Sequence, residues 1–490
     1  MPKAIVIGSG FAGLSVVSFL AKKGWSAVVF EKHQIPGGRA RKMEAAGFTF
    51  DMGPSWYWMP DVFEHYFEQF DKKVSDYYQL HRLDPSYRVY FKNDVLDVSA
   101  NYETLKNSFE KIEPGSGTQL NNFIKEAAYK YNIGINNLVF KPGLSLTEFF
   151  DTDLLKGLLK LDVFTSMSKH VRKFFKDERL IELMEFPVLF LGALPQNIPA
   201  LYSLMNFADV KLGTWFPQGG MYSIVDAMYR LAKELKVEFK FQQNVSEIKI
   251  ENGIATGVTA NGVFHDADVV ISAADYHHTE TQLLPLHYQT YDDAYWNKRV
   301  MAPSCLLYYV GLNKKLTNLP HHSLFFDTDF KKHGDEIYSN PQWPTDPLFY
   351  VSITTVTDES GAPPGCENLF FLIPVAANLQ GDSEEVREQY FQTIVKRFEE
   401  RTGQAISDHI VFQKSFSVSD FKTEYNSYKG NAYGLANTLL QTAYLKPSCK
   451  SRKVSNLYYT GQLTVPGPGV PPSLISGEVV AALVHKEYKH

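Results

Sequence analysis

The chain has 490 residues, which is more than one compact hydrophobic core fills, so we expect two or more subdomains. Hydrophobic residues make up 44% and charged residues 21%, a balance that excludes an intrinsically disordered chain. The net charge of −5 lacks the basic footprint of nucleic-acid-binding proteins, so no nucleic-acid partner is expected.

The three cysteines lie far apart and form no CxxC pair, which indicates neither a zinc cluster nor a disulfide framework. The pairs His277-His278 and His321-His322 have no carboxylate or cysteine at ligand spacing, so we assign them to loops and predict no metal site. The sequence opens on MPKAIVIGSG, without a signal-peptide layout, and has no apolar run of the roughly 18 residues that a transmembrane helix needs. We therefore predict a cytoplasmic protein whose membrane contact is peripheral.

Residues 4–32, AIVIGSGFAGLSVVSFLAKKGWSAVVFEK, predict a nucleotide-binding strand–helix–strand unit. The first strand, AIVI, is wholly apolar, as strands of a parallel sheet covered on both faces are. Gly8, Gly10 and Gly13 form GxGxxG, in which the first glycine turns the chain, the second admits a pyrophosphate and the third lets the helix pack on the strand. Glu31 ends the second strand, where its carboxylate would accept hydrogen bonds from both ribose hydroxyls.

The element PGGRAR, at 36–41, decides between NAD and FAD. Arg39 can pair with a pyrophosphate, and the glycines before it let the backbone approach a planar ring system. This element, so soon after the ribose-binding acid, resembles the large flavoprotein superfamily of amine oxidases, carotenoid desaturases and GDP-dissociation inhibitors. FAD is therefore the predicted cofactor. Because the sequence has no second GxGxxG, we expect no NADPH site and predict that electrons leave to a quinone or to oxygen.

An aromatic cluster, GPSWYWMPDVFEHYF, occupies 53–67. In the resembled superfamily the GPS segment passes close to the flavin ring. We therefore predict that Trp56, Tyr57 and Trp58 line the mouth of a substrate channel beside the flavin. The alternative is a core cluster under the second layer of strands.

Residues 151–180 are predicted to lie on a membrane surface. Five leucines between 154 and 161 form a helical apolar stripe, and five basic residues follow between 169 and 179 against two acidic ones. A basic amphipathic segment is typical of proteins that lie on anionic lipid. A lid helix with a solvated charged face is the alternative.

The middle segment 215–275 is predicted to return the chain to the nucleotide-binding sheet. It reads as a Gly-Gly turn, an amphipathic helix with Ile224, Met228 and Leu231 on one face, a meander of paired strands and a buried strand, ADVVISAAD. In the resembled superfamily the residue at the position of Val245 makes backbone hydrogen bonds to the adenine. A plain hairpin insertion is the alternative.

The last segment, 456–484, reads NLYYTGQLTVPGPGVPPSLISGEVVAALV. It predicts a strand ended by Gly461, a Pro-Gly loop, and a helix beginning near Ser473. A helix N-terminus carries partial positive charge and free N–H groups, so it would stabilise negative charge at the pyrimidine end of a reduced flavin. A capped surface helix is the alternative.

The whole chain resembles the bacterial carotenoid desaturases of the phytoene desaturase type. The resemblance is carried, in this order, by GSGFAGL, PGGRAR, FDMGPS, FPQGGM, GNAYGLANTLLQTAYLKP and TGQLTVPGPGVPPSLISG. Family members often have a histidine in the terminal loop where this chain has Val465, which argues against a mechanism that uses that histidine as a base. The resemblance implies noncovalent FAD and stepwise removal of hydrogen pairs from a long apolar polyene. Hydride loss leaves an allylic cation, which aromatic faces can stabilise, and we name no catalytic residue.

The predicted fold is of the α/β class: a Rossmann-type FAD-binding domain with a mixed-sheet substrate domain and a helical membrane-facing or lid region. The FAD-binding domain is assigned to 1–70, 215–290 and 450–490, the substrate or lid region to 71–214, and the substrate domain to 291–449.

The predicted function is stepwise desaturation of phytoene to lycopene by hydride transfer to FAD. The alternatives are desaturation of another polyene, squalene-derived or at the 3,4-position of a carotenoid, carotene isomerisation, and a non-catalytic lipid binder like the GDP-dissociation inhibitors. The residues predicted to bind the cofactor are Gly8, Ser9, Gly10, Ala12, Gly13, Glu31, Lys32, Gly38, Arg39, Gly53, Pro54, Val245, Gly461, Gly469, Val470 and Pro471.

Overall fold

A computed structural model of the protein describes residues 1–145, 148, 162–189 and 191–488. Its strands are β1 (Lys3–Ile7), β2 (Ser26–Phe30), β3 (Lys42–Ala45), β4 (Phe48–Asp51), β5 (Leu80–Arg82), β6 (Tyr87–Phe91), β7 (Val95–Val98), β8 (Trp215–Pro217), β9 (Glu238–Lys240), β10 (Val245–Glu251), β11 (Ile254–Ala260), β12 (Val263–Asp266), β13 (Val269–Ser272), β14 (Ser304–Leu312), β15 (His322–Phe326), β16 (Phe349–Ser352), β17 (Glu367–Val375), β18 (Ile410–Phe416) and β19 (Leu457–Tyr459). Its longer α-helices are α1 (Phe11–Lys22), α2 (Pro60–Glu68), α3 (Tyr102–Ile112), α4 (Ser116–Ile133), α5 (Met167–Val171), α6 (Glu178–Leu189), α7 (Leu204–Phe207), α8 (Tyr222–Glu234), α9 (Asp293–Asn297), α10 (Phe330–Tyr338), α11 (Glu384–Thr402), α12 (Val418–Tyr425) and α13 (Val470–Tyr488).

Five parallel strands form the nucleotide-binding sheet, in the order β19-β13-β1-β2-β9. The register places Ile5 opposite Val28 on one side and Val270 on the other. The strands come from the N-terminal, middle and C-terminal parts of the chain. The strands predicted from AIVI, SAVVFEK, ADVVISAAD and LYYT are therefore confirmed, and so is the return of ADVVISAAD to the nucleotide-binding sheet.

Helices cover one face of this sheet and a strand meander covers the other. On one face α1, α8 and α13 bury Leu14, Met228 and Val480. On the other face the antiparallel strands β10, β11 and β12 bury Ile248 and Val258. Burial on both faces explains why the parallel strands carry so few polar side chains.

A seven-stranded mixed sheet, in the order β18-β14-β17-β16-β15-β6-β7, forms a second layer. Neighbouring strands are antiparallel except β15 and β6, which run parallel. One face packs against Ile394 and Phe398 of α11. The other face belongs to a large core that includes Phe123 of α4 and Phe186 of α6. The predicted α/β class with a Rossmann-type sheet and a mixed sheet is confirmed, whereas the subdomain boundaries stay a prediction.

The last helix begins earlier than expected, at Val470 rather than near Ser473. Pro471 and Pro472 fit its first turn, because N–H groups there have no intrahelical partner to lose. Among the described residues no helix is both long and apolar enough to cross a bilayer. The five leucines of the predicted membrane segment fall in 151–161, outside the described residues.

Candidate functional site

The glycine-rich turn between β1 and α1 has the shape that a pyrophosphate site requires. Gly8 has φ +96°, and Gly10 caps the N-terminus of α1. A Cβ on Gly13 would lie 2.0 Å from the carbonyl oxygen of Gly8, so only glycine lets the helix sit this close to the strand. A Cβ on Gly10 would meet nothing closer than 3.9 Å, and one on Gly38 would lie 3.4 Å from the Gly10 Cα. The backbone at Gly10 is therefore open to a ligand.

Glu31 follows β2 directly, is 5% exposed and organises this turn. Its carboxylate accepts hydrogen bonds from Ser9 N at 2.9 Å, from Ser9 Oγ at 2.7 Å and from His33 N at 3.0 Å. Gln243 N donates to the carbonyl oxygen of Glu31 at 2.9 Å, so the chain that enters β10 at Val245 runs beside it. The structure thus brings the predicted ribose and adenine residues together.

Arg39 is a half-buried cation with a buried, unused hydrogen-bond donor. Its Nη2 donates to Ser427 Oγ at 2.9 Å, but its Nε has no hydrogen-bond partner in the part of the chain that the structure describes. Burial lowers the pKa of Arg39, and the carboxylate of Asp275 opposes that shift. A Cβ on Gly53 would lie 2.2 Å from the Arg39 carbonyl oxygen, so the two segments touch through their backbones. A half-buried guanidinium with a spare donor fits an anionic group such as a pyrophosphate.

The start of α13 packs against the start of α1. Gly461 N donates to Ser476 Oγ at 3.0 Å, and a Cβ on Gly461 would lie 3.6 Å from the Ala12 Cβ. Ser15 Oγ in α1 donates to the carbonyl oxygen of Leu474 at 2.7 Å. Two helix N-termini, each with partial positive charge, therefore converge on one region.

The remaining residues predicted to bind the cofactor differ in their placement. Gly469 has φ +115° and turns the chain into α13, whose first residues are Val470 and Pro471. Pro54 is half-buried. The side chain of Lys32 points away from the glycine turn, because its Nζ donates to a carbonyl oxygen of α12 at 3.3 Å.

The aromatic triplet divides between two cores. Trp56 stacks on His322 with ring centroids 4.4 Å apart and planes at 12°. Trp58 lies 5.2 Å from Trp56, and its Nε1 donates to a threonine hydroxyl at 2.8 Å. Tyr57 belongs to the core under the parallel sheet, where it stacks on Phe63 at 4.3 Å. The structure brings Trp56 and Trp58 together and separates Tyr57 from them; channel lining by all three stays a prediction.

Sequence reasoning missed the histidine and tyrosine side chains of the mixed sheet that lie beside Trp56. The loop assignment of His322 is wrong, because His322 opens β15, whereas His321 precedes the strand in a bend; both side chains are buried. His322 Nδ1 lies 2.7 Å from the Tyr350 hydroxyl. Burial lowers the pKa of His321 to about 3 and that of His322 well below its ordinary value, so both rings are neutral. Nearby, Cys305 Sγ lies 3.7 Å from the Tyr433 hydroxyl.

One group of metal-ligand type occurs among the described residues. Ligand atoms of Glu126, Asp162 and His170 lie within 4.8 Å of one another. The Nζ of Lys130, however, lies 3.0 Å from Asp162 and 3.2 Å from His170. This buried ammonium already balances the carboxylate, so the group forms an ion-pair cluster. The other histidine pair assigned to a loop belongs to the helical turn Tyr276–His278.

Residues 11–485 match the family described as flavin containing amine oxidoreductase. The chain belongs to this family. The flavoprotein is 40% identical over 479 residues to a carotenoid 3,4-desaturase of Haloarcula japonica, covering 97% of this chain and 96% of that protein. It is 33% identical over 486 residues to a zeta-carotene-forming phytoene desaturase of Myxococcus xanthus, covering 98% and 93%. The structure of an oxidoreductase from Methanosarcina mazei superposes on this chain with a TM-score of 0.66 at 18% sequence identity. The match covers 98% of this chain and 100% of that protein, and it supports the fold alone.

This flavoprotein is an oxidoreductase of the carotenoid desaturase group, acting on CH–CH bonds. The predicted family, enzyme class and FAD cofactor are confirmed by these matches. The glycine turn, the spare donor of Arg39 and the converging helix N-termini are a donor set that fits such a cofactor.

Proposed function

We propose that this flavoprotein introduces double bonds into a long acyclic carotenoid that is already conjugated, at its C3–C4 bond. The 40% identity to a carotenoid 3,4-desaturase, against 33% to a phytoene desaturase, supports this choice of step. Stepwise conversion of phytoene to lycopene, the activity predicted from the sequence, is the second candidate, and similarity to the Myxococcus protein supports it. In both cases each new double bond requires one hydride to leave one carbon and one proton to leave its neighbour.

The cofactor site is proposed from the geometry of the chain's own residues. Glu31 would hold the ribose, since a buried acid after the second strand has that place in dinucleotide folds. Arg39 would direct its unused Nε toward the pyrophosphate, which the open backbone at Gly10 also admits. Val245 would meet the adenine, and the start of α13 would face the pyrimidine end of the ring. FAD, when bound, supplies the hydride acceptor.

The sheet face that carries Trp56 suits an apolar substrate that passes through a cation. Trp58, Phe186 and Tyr350 surround Trp56 with ring centroids 5.2, 6.3 and 5.5 Å away. Aromatic faces stabilise the allylic cation that hydride loss leaves. Because His322 is neutral, its ring stacks on Trp56 without adding a positive charge that would oppose this cation. We assign Trp56 to cation stabilisation and His322 to positioning of the Trp56 ring.

The reaction also needs an electron acceptor and a source of substrate. Two electrons per double bond would leave to a quinone or to oxygen. A long polyene is soluble in lipid rather than in water, so the protein would collect it by peripheral contact with a bilayer.

An absorption spectrum tests the function, because each added conjugated double bond moves the carotenoid bands to longer wavelength. FAD-loaded protein would be incubated in air with liposomes that contain either lycopene or phytoene, with and without an added quinone, and then extracted. We expect the lycopene bands to shift and phytoene to remain colourless. Coloured products from phytoene would favour the second candidate. No shift with either, while the protein is yellow with bound flavin, would contradict both and direct attention to a squalene-derived polyene.

A further inference from the structure

Two leucines are unusually exposed on the surface of the protein. Leu286 is 81% exposed and Leu440 is 75% exposed. Val300 follows Leu286 in the chain, and Leu439 and Leu445 flank Leu440; these three side chains are 41% to 49% exposed. Exposed apolar side chains that form a patch rimmed by polar residues are typical of a contact with a protein or a membrane.

These side chains surround one opening. Leu286, Leu440 and Leu445 line a cleft of about 690 Å³, which we call the leucine cleft. Val300 is tied to the same loop, because the side chain of Gln441 forms hydrogen bonds of 2.9 Å with both its N and its carbonyl oxygen. Two segments distant in sequence therefore form one continuous surface.

Cations line the leucine cleft beside the leucines. Arg299, Arg452 and Lys453 belong to its wall, and Asp292 is the acid among the residues that line it. Arg299 lies over the Tyr295 ring at 4.3 Å, and Lys453 Nζ donates to a carbonyl oxygen at 3.1 Å. The Asp292 carboxylate is engaged at the start of α9, where it accepts from a backbone N at 2.7 Å. The wall therefore carries excess positive charge available to an anion.

Tyrosines occupy the same wall and favour a bilayer as the partner. Tyr291, Tyr295 and Tyr444 line the cleft. Tyrosine places an apolar ring and a polar hydroxyl side by side, which suits the boundary between headgroups and acyl chains. The combination of exposed leucines, tyrosines and unneutralised cations matches the chemistry of an anionic bilayer surface.

The floor of the leucine cleft reaches the loop before α13. Lys446 lines the cleft, is 4% exposed, and donates from Nζ to Asn437 Oδ1 at 2.8 Å. A Cβ on Gly467 would lie 3.2 Å from the same Nζ. Gly467 belongs to the loop that follows Gly461, so one residue of the cleft floor lies beside the loop that leads into α13.

We propose that the leucine cleft docks on an anionic lipid bilayer, with its leucines in the acyl boundary and its three cations at the lipid phosphates. The inference rests on the proposed function for the apolar substrate that the bilayer would deliver through the cleft. It adds a second membrane contact to the one predicted at 151–180, which stays a prediction because its leucines lie outside the described residues. In that segment Arg172 already pairs with Glu185 at 2.6 Å and Arg179 with Asp177 at 2.8 Å.

Vesicle co-sedimentation of the full-length holoprotein tests the leucines. The vesicles would be phosphatidylcholine with or without phosphatidylglycerol. We expect the double variant Leu286→Ser, Leu440→Ser to bind anionic vesicles about tenfold or more weakly, because two apolar side chains no longer enter the acyl boundary. The matched control is Val263→Ser, Phe264→Ser on β12, which should bind like the wild type, because these side chains are 58% and 50% exposed but do not line the cleft.

A charge variant tests the cations independently. Arg452→Gln, Lys453→Gln should lose about fivefold per removed charge on anionic vesicles and change little on neutral ones. Flavin absorbance and turnover of detergent-dispersed carotenoid report that each variant is folded. We expect the leucine variant to keep turnover in detergent and to lose it with substrate in liposomes.

Three results would overturn the docking surface. The first is that the wild-type protein binds neither kind of vesicle, and the second is that the leucine variant binds anionic vesicles like the wild type. The third is that the wild type forms a dimer without lipid and the leucine variant is a monomer, which would make the cleft an interface between two copies of this chain. Protein that is inactive on every carotenoid but binds vesicles through the leucines would instead overturn the proposed function and support the docking surface.

Discussion

The indole ring of Trp56 and the imidazole ring of His322 are stacked, with centroids 4.4 Å apart and planes at 12°. The contact joins the segment after Gly53 to the first residue of β15 in the mixed sheet. Tyr350 holds the edge of the imidazole through the 2.7 Å contact between its hydroxyl and Nδ1. Since burial keeps the pKa of His322 well below its ordinary value, the ring stays neutral and the stack is insensitive to pH near neutrality.

Replacement of Trp56 by alanine should slow desaturation about tenfold or more without releasing FAD. The variant loses the ring face assigned to cation stabilisation, worth about 1–2 kcal/mol in a desolvated site. Turnover would be followed by carotenoid absorbance, and flavin content by the ratio of flavin to protein. Trp343→Ala is the matched control, because Trp343 is half-buried like Trp56. The Nε1 of Trp343 donates one hydrogen bond, at 2.8 Å, to a carbonyl oxygen. Equal turnover of Trp56→Ala and the wild type would contradict the assignment.

Replacement of His322 separates positioning from chemistry. His322→Phe keeps a flat ring against Trp56 but loses the hydrogen bond to Tyr350, so we expect turnover between those of the wild type and His322→Ala. The Trp56 fluorescence maximum should shift in His322→Ala and much less in His322→Phe. If both variants lost turnover equally while the Trp56 emission stayed unchanged, a positioning role would be excluded.

Substitution of Glu31 by glutamine should weaken FAD binding by roughly tenfold to a hundredfold, because a hydrogen bond to a charged acceptor contributes about 1.5–3 kcal/mol. The affinity would be measured by titrating apoprotein with FAD and following flavin fluorescence. Glu251→Gln, an exposed acid on β10, is the control. Unchanged affinity in Glu31→Gln would show that the carboxylate holds only Ser9 and His33 and not the ribose.

The nucleotide-binding unit could be predicted from the sequence because its constraints are local. Each requirement involves residues close together in sequence. Burial on both faces requires a wholly apolar strand, the tight turn requires glycines at fixed spacing, and the ribose requires an acid at the end of the next strand. The alternation of side chains in an extended chain would also have separated Tyr57 from its neighbours. Tyr57 forms a β-bridge with Trp215, so Trp56 and Trp58 share one side and Tyr57 takes the other.

The rest of the site depends on long-range pairing that no local pattern expresses. His322 meets Tyr350 because β15 pairs with β16, and that register follows from the whole mixed sheet. The leucine cleft likewise forms only where 286–300 meets 439–445. A lysine buried at Lys446 runs against the ordinary preference of that residue for the surface, so the sequence gives no reason to expect it.

Gly477 should be intolerant of any side chain. A Cβ there would lie 2.5 Å from the Ser15 Cβ and 2.6 Å from Val16 N, so α13 would have to move away from α1. We expect Gly477→Ala to lose about 1–3 kcal/mol of stability and part of its flavin, since both helix N-termini face the proposed cofactor site. Ala482→Val, on the exposed side of the same helix, should change neither the melting temperature nor the flavin content. Gly477→Ala with unchanged melting temperature would contradict this account.

Lys446 should make stability rise with pH in the alkaline range. Burial lowers its pKa to about 7 from its ordinary value of 10.5. Between these values the unfolded chain binds a proton that the folded chain does not, so the wild type gains about 1.4 kcal/mol of stability per pH unit from this group; below pH 7 its contribution is constant. Relative to Lys446→Met, the urea-unfolding free energy of the wild type should therefore climb from pH 7 to pH 9 and be flat from pH 6 to pH 7. Parallel curves for Lys446→Met and the wild type would mean that the buried amine keeps its proton in the folded protein.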